Sequence, residues 1–272
     1  MRRNLKACLS IFRIRTAEAL QYRAAALASA SVGIFWALLE VTIYTIFYRY
    51  GSLAGNSSLT LPQAITYVWL AQALFPLQPL TIDQEIINKI ISGDVGVELC
   101  RPLDLYSHWL AKTAAGRLGA YFWRAAITVL VGVLLPDTLG LGGPASPFGF
   151  CLFLLSAACS FLLCASYGML VTAVRLGITW GEGPTLMLLL LGAVLSGAYL
   201  PLQLWPDFLQ KLLYLQPFAG YLDLPVRLYV GSMSPSEAAR AIALQLLWTA
   251  IFVALGRLIL RARLRNVIIQ GG

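Results

Sequence analysis

The feature that most constrains this chain is a series of apolar runs, each about long enough to cross a bilayer. A hydrocarbon core of roughly 30 Å takes about 20 apolar residues of helix to span. Six such runs can be drawn, near 24–47, 61–82, 110–135, 148–174, 184–200 and 241–260. They are continuous rather than alternating, which selects helices over barrel strands. Only 12% of the residues are charged and 59% are hydrophobic, whereas a soluble domain carries about a quarter charged residues. The expected fold is therefore an all-α polytopic membrane protein with six transmembrane helices. The basic start is too long for a signal n-region, and no small-residue cleavage site follows the first run, so secretory processing is not expected.

Charge gives the direction of the spans. Six Lys/Arg precede the first run, four (Lys89, Arg101, Lys112, Arg117) lie around the second-to-third connection, Arg175 follows the fourth run, and four lie at or beyond the last. The opposite side has Arg49, Lys211, Arg227 and Arg240. The positive-inside rule puts both termini in the cytoplasm, and the expected location is the bacterial inner (cytoplasmic) membrane. The basic balance is thus a topology signal; no basic face with interleaved aromatics suggests nucleic acid as a partner. Residues 1–23 form a separate unit ahead of the six-span domain, 24–272. Leu5, Leu9, Ile11 and Phe12 fall near one helical face, with Arg2, Lys6 and Arg13 largely elsewhere. That pattern suits an amphipathic elbow helix on the inner leaflet, in contact with membrane lipid.

In the first run Ala25, Ser29, Gly33 and Ala37 recur at every fourth residue. Small side chains at this spacing let membrane helices approach closely, and the stripe is a candidate dimer-packing face. Glu40 lies three residues further on. A carboxylate near mid-span costs about 2.5–3.5 kcal/mol on insertion scales, so it should face protein or water. It is either part of a polar substrate route or inter-subunit contact, or a paired structural group. Trp36 and Tyr44 are candidate pathway residues beside it, and Tyr67, Trp69 and Trp123 could extend an aromatic route. Interfacial belts and core packing are the commoner use of such residues. Arg124, two turns into the third run, is expected to snorkel towards the cytoplasmic surface.

Before the last run, about 201–239 is apolar yet broken by Pro201, Pro206, Pro217 and Pro225. Prolines at that density forbid one crossing helix, so short re-entrant helices at the extracellular face are expected. No Ser-His-acid grouping, H-E-x-x-H, Asp-rich pair or P-loop is visible, so neither a catalytic nor a metal site is expected. Gly177, Gly181 and Gly183 form a turn without the Lys that would meet phosphates. The five cysteines show no C-x-x-C spacing and read as reduced and structural. Asp83 and Glu85 read as a solvated helix end.

The segment 83–109 reads as helix, break, helix. An isoleucine-rich helix runs to Gly93, and a new one starts near Pro102 and Asp104. A short charged element between two spans suits the grip of a cytosolic partner, and equally suits a connecting turn. Its motif, "IISGDVGVELCRPLDLYSHWLAK", resembles the cytoplasmic loop in membrane subunits of type-two ABC exporters. The segment "SGAYLPLQLWPDFLQKLLYLQPFAGYLDLPVRLYVG" is similar to that family's signal before the last span. With the six-run order and the basic elbow, the resemblance covers nearly the whole chain.

The resemblance implies a permease subunit that pairs with a second permease, identical or homologous, and with a dimer of cytosolic ABC ATPase subunits. ATP and Mg would lie on those ATPases, with no cofactor in this chain and no enzyme activity of its own. It implies a coupling helix at Ile90, Ile91, Gly93, Asp94, Val95, Glu98 and Leu99, with Arg101 following, and export of an amphiphilic substrate (drug, lipid or peptide-like) by alternating access. The rival readings are an ion-coupled secondary transporter using Glu40 and, more remotely, a membrane enzyme.

Overall fold

The computed structural model describes residues 2–21, 23–51, 59–92, 95–99, 104–176 and 182–264, and among them every regular element is helical. Helix α1 (Arg2–Gln21) leads into α2 (Arg23–Tyr50). Then come α3 (Leu61–Leu74), α4 (Gln84–Ile91), α5 (Val95–Leu99), α6 (Leu105–Leu134), α7 (Pro147–Arg175) and α8 (Gly183–Leu195). The last three are α9 (Asp207–Leu215), α10 (Asp223–Val230) and α11 (Pro235–Leu264). Short 3-10 turns stand at Phe75–Leu77, Leu202–Leu204 and Pro217–Tyr221.

Among the described residues, four helices are long and apolar enough to cross a membrane: Ala24–Tyr50 within α2, α6, α7 and α11. Their outward faces carry large exposed apolar side chains, among them Phe35, Phe122, Phe148, Leu155 and Leu258, as expected where lipid replaces water. The second and fifth of the expected runs depart from the six-span reading. They form helices of 14 and 13 residues, only about 20 Å at 1.5 Å per residue. Pro76 and Pro79 cannot donate to a helical ladder, so α3 gives way to the 3-10 turn after Leu74. At the other break, Gly197 takes a left-handed φ of 85° just past the end of α8. A Cβ there would lie 2.5 Å from the Tyr67 hydroxyl, so glycine is required on both counts.

Helix α3 is the centre of the chain: every residue from Ala64 to Leu74 is buried. Around it Tyr67, Tyr167, Phe218, Tyr221 and Phe252 belong to one core cluster, with Tyr167 edge-on to Phe218 at 5.1 Å between ring centroids. Helices α7 and α11 pack along each other. Buried Gln245 of α11 ties them together and to the turn Pro217–Tyr221: its Oε1 accepts from Ser156 Oγ of α7 at 2.9 Å, and its Nε2 donates to Gly220 O at 2.8 Å.

The region before α11 is a string of short pieces, as its prolines require: the turn Leu202–Leu204, α9, the turn Pro217–Tyr221 and α10. It meets the α6–α7 connection, where Ala145 N donates to Tyr229 O at 3.0 Å. Helices α4 and α5 lie at the other end of the bundle. There Ile86 and Val95 are buried with Tyr106 and Trp109 of α6, Met169 of α7 and Leu260 of α11.

Candidate functional site

The α4–α5 unit is held by its apolar underside and by a chain of charged contacts. Asp83 Oδ1 accepts from Glu85 N at 3.1 Å and so caps α4. The Glu85 carboxylate then meets three cations: Lys112 of α6 at 2.6 Å, Arg15 of α1 at 3.1 Å and Lys89 one turn on at 3.2 Å. Lys89 also reaches Glu98 of α5 at 2.6 Å, across the break between the two short helices. The other Glu98 oxygen accepts from the Trp109 indole N–H at 2.6 Å. A single network therefore joins α1, α4, α5 and α6. Nearby, Arg257 of α11 lies 3.6 Å from Asp104, the N-cap of α6.

The electrostatics follow from these contacts. Burial alone would raise the Glu85 pKa, but the hydrogen bonds and charges of Lys112, Lys89 and Arg15 outweigh it and bring it down to about 2. For Glu98, burial likewise opposes ionisation, and its bonds to Lys89 and Trp109 win, so its pKa is lowered. Lys89 is raised, chiefly by its bond to Glu98. All three groups hold their charges near neutrality, and the network acts as fixed electrostatic fastening.

Of the expected coupling residues, Val95 is fully buried and Glu98 is 9% exposed. These two anchor the unit inward. Ile90, Ile91 and Leu99 lie on α4 and α5, while Gly93, Asp94 and Arg101 fall outside the described residues. Glu85 is more than a solvated helix end, because it collects charges from three helices.

A second polar group sits at the middle of the bundle. Gln72 of α3 donates to Glu40 Oε1 at 3.3 Å, and Gln72 Oε1 lies 3.5 Å from Arg124 Nη2. Arg124 Nη1 donates to Ser29 Oγ at 3.0 Å, and its guanidinium stands 5.6 Å from the Phe75 ring centroid. Arg124 therefore turns inward and does not snorkel: the interior offers it hydrogen-bond acceptors and an aromatic face. Gly33 is what admits it, since a Cβ there would meet Arg124 Nη2 at 3.0 Å. Within the small-residue stripe, Ser29 and Gly33 thus serve contact with α6 of the same chain. Ala37 packs with Val41, Tyr44, Ile65, Val68 and Trp69, and Ala25 is exposed.

Glu40 and Tyr44 line one cavity of about 310 Å³ with Tyr199, Leu200 and Leu204. Trp36 lies outside that lining; it is 49% exposed and edge-on to Phe35. The remaining aromatic positions carry structural bonds. Trp69 donates to Leu139 O at 2.7 Å and Trp123 donates to Leu20 O at 3.1 Å. The Tyr67 hydroxyl lies 2.9 Å from Asp223 Oδ1.

Sequence reasoning missed Asp223, which is fully buried and also accepts from Leu202 N at 3.2 Å. An acid inside the apolar stretch "YLDLPV" was the available signal. It also treated Lys112 and Arg117 as topology markers only. Arg117 in fact donates to Gln78 O at 3.1 Å and Thr81 O at 3.0 Å, holding the segment between α3 and α4. Its seven-residue spacing from Arg124, which puts both on one helical face, could have drawn notice.

No curated protein and no solved structure matches the chain. A family model described as ABC-2 family transporter protein matches residues 34–271, from within α2 to beyond the end of α11. A chain with four long apolar helices, a charged two-helix unit fastened beneath them and that family's pattern over most of its length belongs to the ABC-2 family of transporters, as a membrane permease subunit.

Proposed function

We propose that this permease exports an amphiphilic substrate by alternating access, driven by a dimer of cytosolic ABC ATPases that grips the α4–α5 unit. The observation that carries the reading is the Arg15–Glu85–Lys112 and Lys89–Glu98–Trp109 network. A push on α4–α5 reaches α1 and α6 through ion pairs. It reaches α7 and α11 through the apolar cluster beneath. Packed, hydrogen-bonded elements of this kind switch between discrete arrangements instead of deforming gradually. A second permease, identical or homologous, completes the pathway in this reading. Both termini and α4–α5 face the cytoplasm of a bacterial inner membrane, and the pieces before α11 dip into the outer leaflet. The second and fifth crossings are completed by the irregular segments that follow α3 and α8.

The test is reconstitution of the chain in proteoliposomes with and without its ABC ATPase. ATP-dependent substrate movement and permease-stimulated hydrolysis are expected only with both present. Gly93→Pro and Arg101→Glu should each lose the stimulation while inserting normally. Solute movement down an ion gradient by the chain alone, or unchanged stimulation in both variants, overturns the proposal.

A further inference from the structure

A second cavity, of about 360 Å³, lies between α6 and the segment joining α3 to α4. Its lining includes Lys112, Thr113, Arg117 and Arg124 from α6, with Gln78 and Asp83 opposite. The charges around it are unevenly matched. Lys112 is taken by Glu85 at 2.6 Å, and Asp83 is engaged in capping α4. The hydrogen bonds of Arg117 go to two neutral carbonyls, Gln78 O and Thr81 O. Arg124 bonds Ser29 and Gln72 and reaches the Glu40 carboxylate only through Gln72. Both guanidiniums keep a buried Nε without a hydrogen-bond partner, as does the hydroxyl of Thr113, a residue 6% exposed.

Two half-buried cations whose hydrogen bonds all go to neutral groups, with Asp83 the one carboxylate of the lining that acts on Arg117, keep a demand for negative charge. Thr113, Arg117 and Arg124 fall at i, i+4 and i+11 on α6, so they share one face, and the two arginine Cα atoms are about 10 Å apart along it. Planar guanidiniums in such an array match the oxygens of a phosphate group better than any neutral ligand. We propose that this cavity binds an anionic phosphate group, carried by a phospholipid headgroup or by a soluble phosphate. The inference needs no ATP coupling.

The full chain, purified in detergent, would be titrated by native mass spectrometry with dioleoyl phosphatidylglycerol, with zwitterionic phosphatidylcholine and with inorganic phosphate. One phosphatidylglycerol per chain should bind in clear preference to phosphatidylcholine. Arg117→Gln should weaken it about tenfold, the loss expected for one charge-assisted hydrogen bond. Gly116→Glu supplies a variant that keeps both arginines. A Cβ at Gly116, which also lines the cavity, meets nothing within 4 Å, so a carboxylate there should fold normally and displace the lipid. Displacement by millimolar inorganic phosphate supports the site and assigns it to soluble phosphates; resistance to displacement, with the variant effects intact, supports it as a headgroup site. Equal binding of the two lipids, or wild-type phosphatidylglycerol binding by a folded Gly116→Glu chain, overturns the proposal whether or not Arg117→Gln folds. ATPase-dependent transport is measured separately, so the failure of either reading leaves the other standing.

Discussion

Replacing Glu98 by Gln isolates the fastening of α5. The Glu98 side chain is 9% exposed and holds Lys89 with one oxygen and the Trp109 indole with the other, both at 2.6 Å. Glutamine keeps the shape and one acceptor for Trp109, but it turns an amide N–H₂ towards the Lys89 ammonium, setting donor against donor. A hydrogen bond to a charged group contributes about 1.5–3 kcal/mol. Lys89 is 30% exposed and retains Glu85 at 3.2 Å, so solvent screening reduces the expected loss to about 1–2 kcal/mol. At 1.4 kcal/mol per factor of ten, the detached fraction of α5 should rise about tenfold. Hydrogen exchange of a peptide covering 84–99 should speed up by that factor, with α7 and α11 unchanged, and ATPase stimulation by the permease should fall. Unchanged exchange at 84–99 would refute the reasoning, because the bridge would then contribute nothing to holding the unit.

Three further outcomes are expected. Gly197→Ala forces a Cβ into a left-handed residue and to 2.5 Å from the Tyr67 hydroxyl; about 2–5 kcal/mol of strain and overpacking should lower the Tm in detergent, and Tyr67→Phe should recover only the steric part. Because the Glu85 pKa is depressed from 4.5 to about 2, its stabilisation is fully present above pH 4.5 and lost as pH falls through about 2. Infrared difference spectra of wild type against Glu85→Gln should show the carboxylate band persisting at pH 3.5, and its disappearance by pH 4 would contradict the pairing. Glu40→Gln keeps a group that can bond Gln72 and should leave ATP-driven transport within about threefold of wild type; complete loss in a proteoliposome flux assay would favour ion coupling through Glu40.

Hydropathy made the four long helices legible, because a continuous apolar run of 25–30 residues has few other uses. It did not show that the second and fifth runs break into shorter helices, because α3, wrapped in protein, and α8, with Leu186, Met187 and Leu190 exposed, are as apolar as the longer helices. The chain revealed the difference only through its breakers, Pro76 and Pro79 after α3 and Gly197 after α8. The spacing of Ser29 and Gly33 marked room for a close approach. It could not say that the approaching group is Arg124 of the same chain, since a small residue specifies room and not its occupant. Arg124 itself shows the limit of depth arguments, which consider the distance to the headgroups and not the presence of Gln72 and Ser29 beside it. The helix, break, helix reading of 83–109 has its counterpart in α4, α5 and the start of α6, but Lys112 and Arg15 come from distant segments, so the anchorage of α4–α5 could not be read from local pattern.

The enclosure of α3 determines how this subunit can yield. Between its last turn and α4 lie the 3-10 turn and residues 78–83, a bend that hangs on the guanidinium of Arg117 by two carbonyls. Any travel of α4 must therefore drag a tightly sheathed rod through its own casing or unhook the arginine. Movement at the α4 end is thereby tied to two carbonyl bonds on α6, so the hinge of this subunit, if it turns at all, turns on one guanidinium.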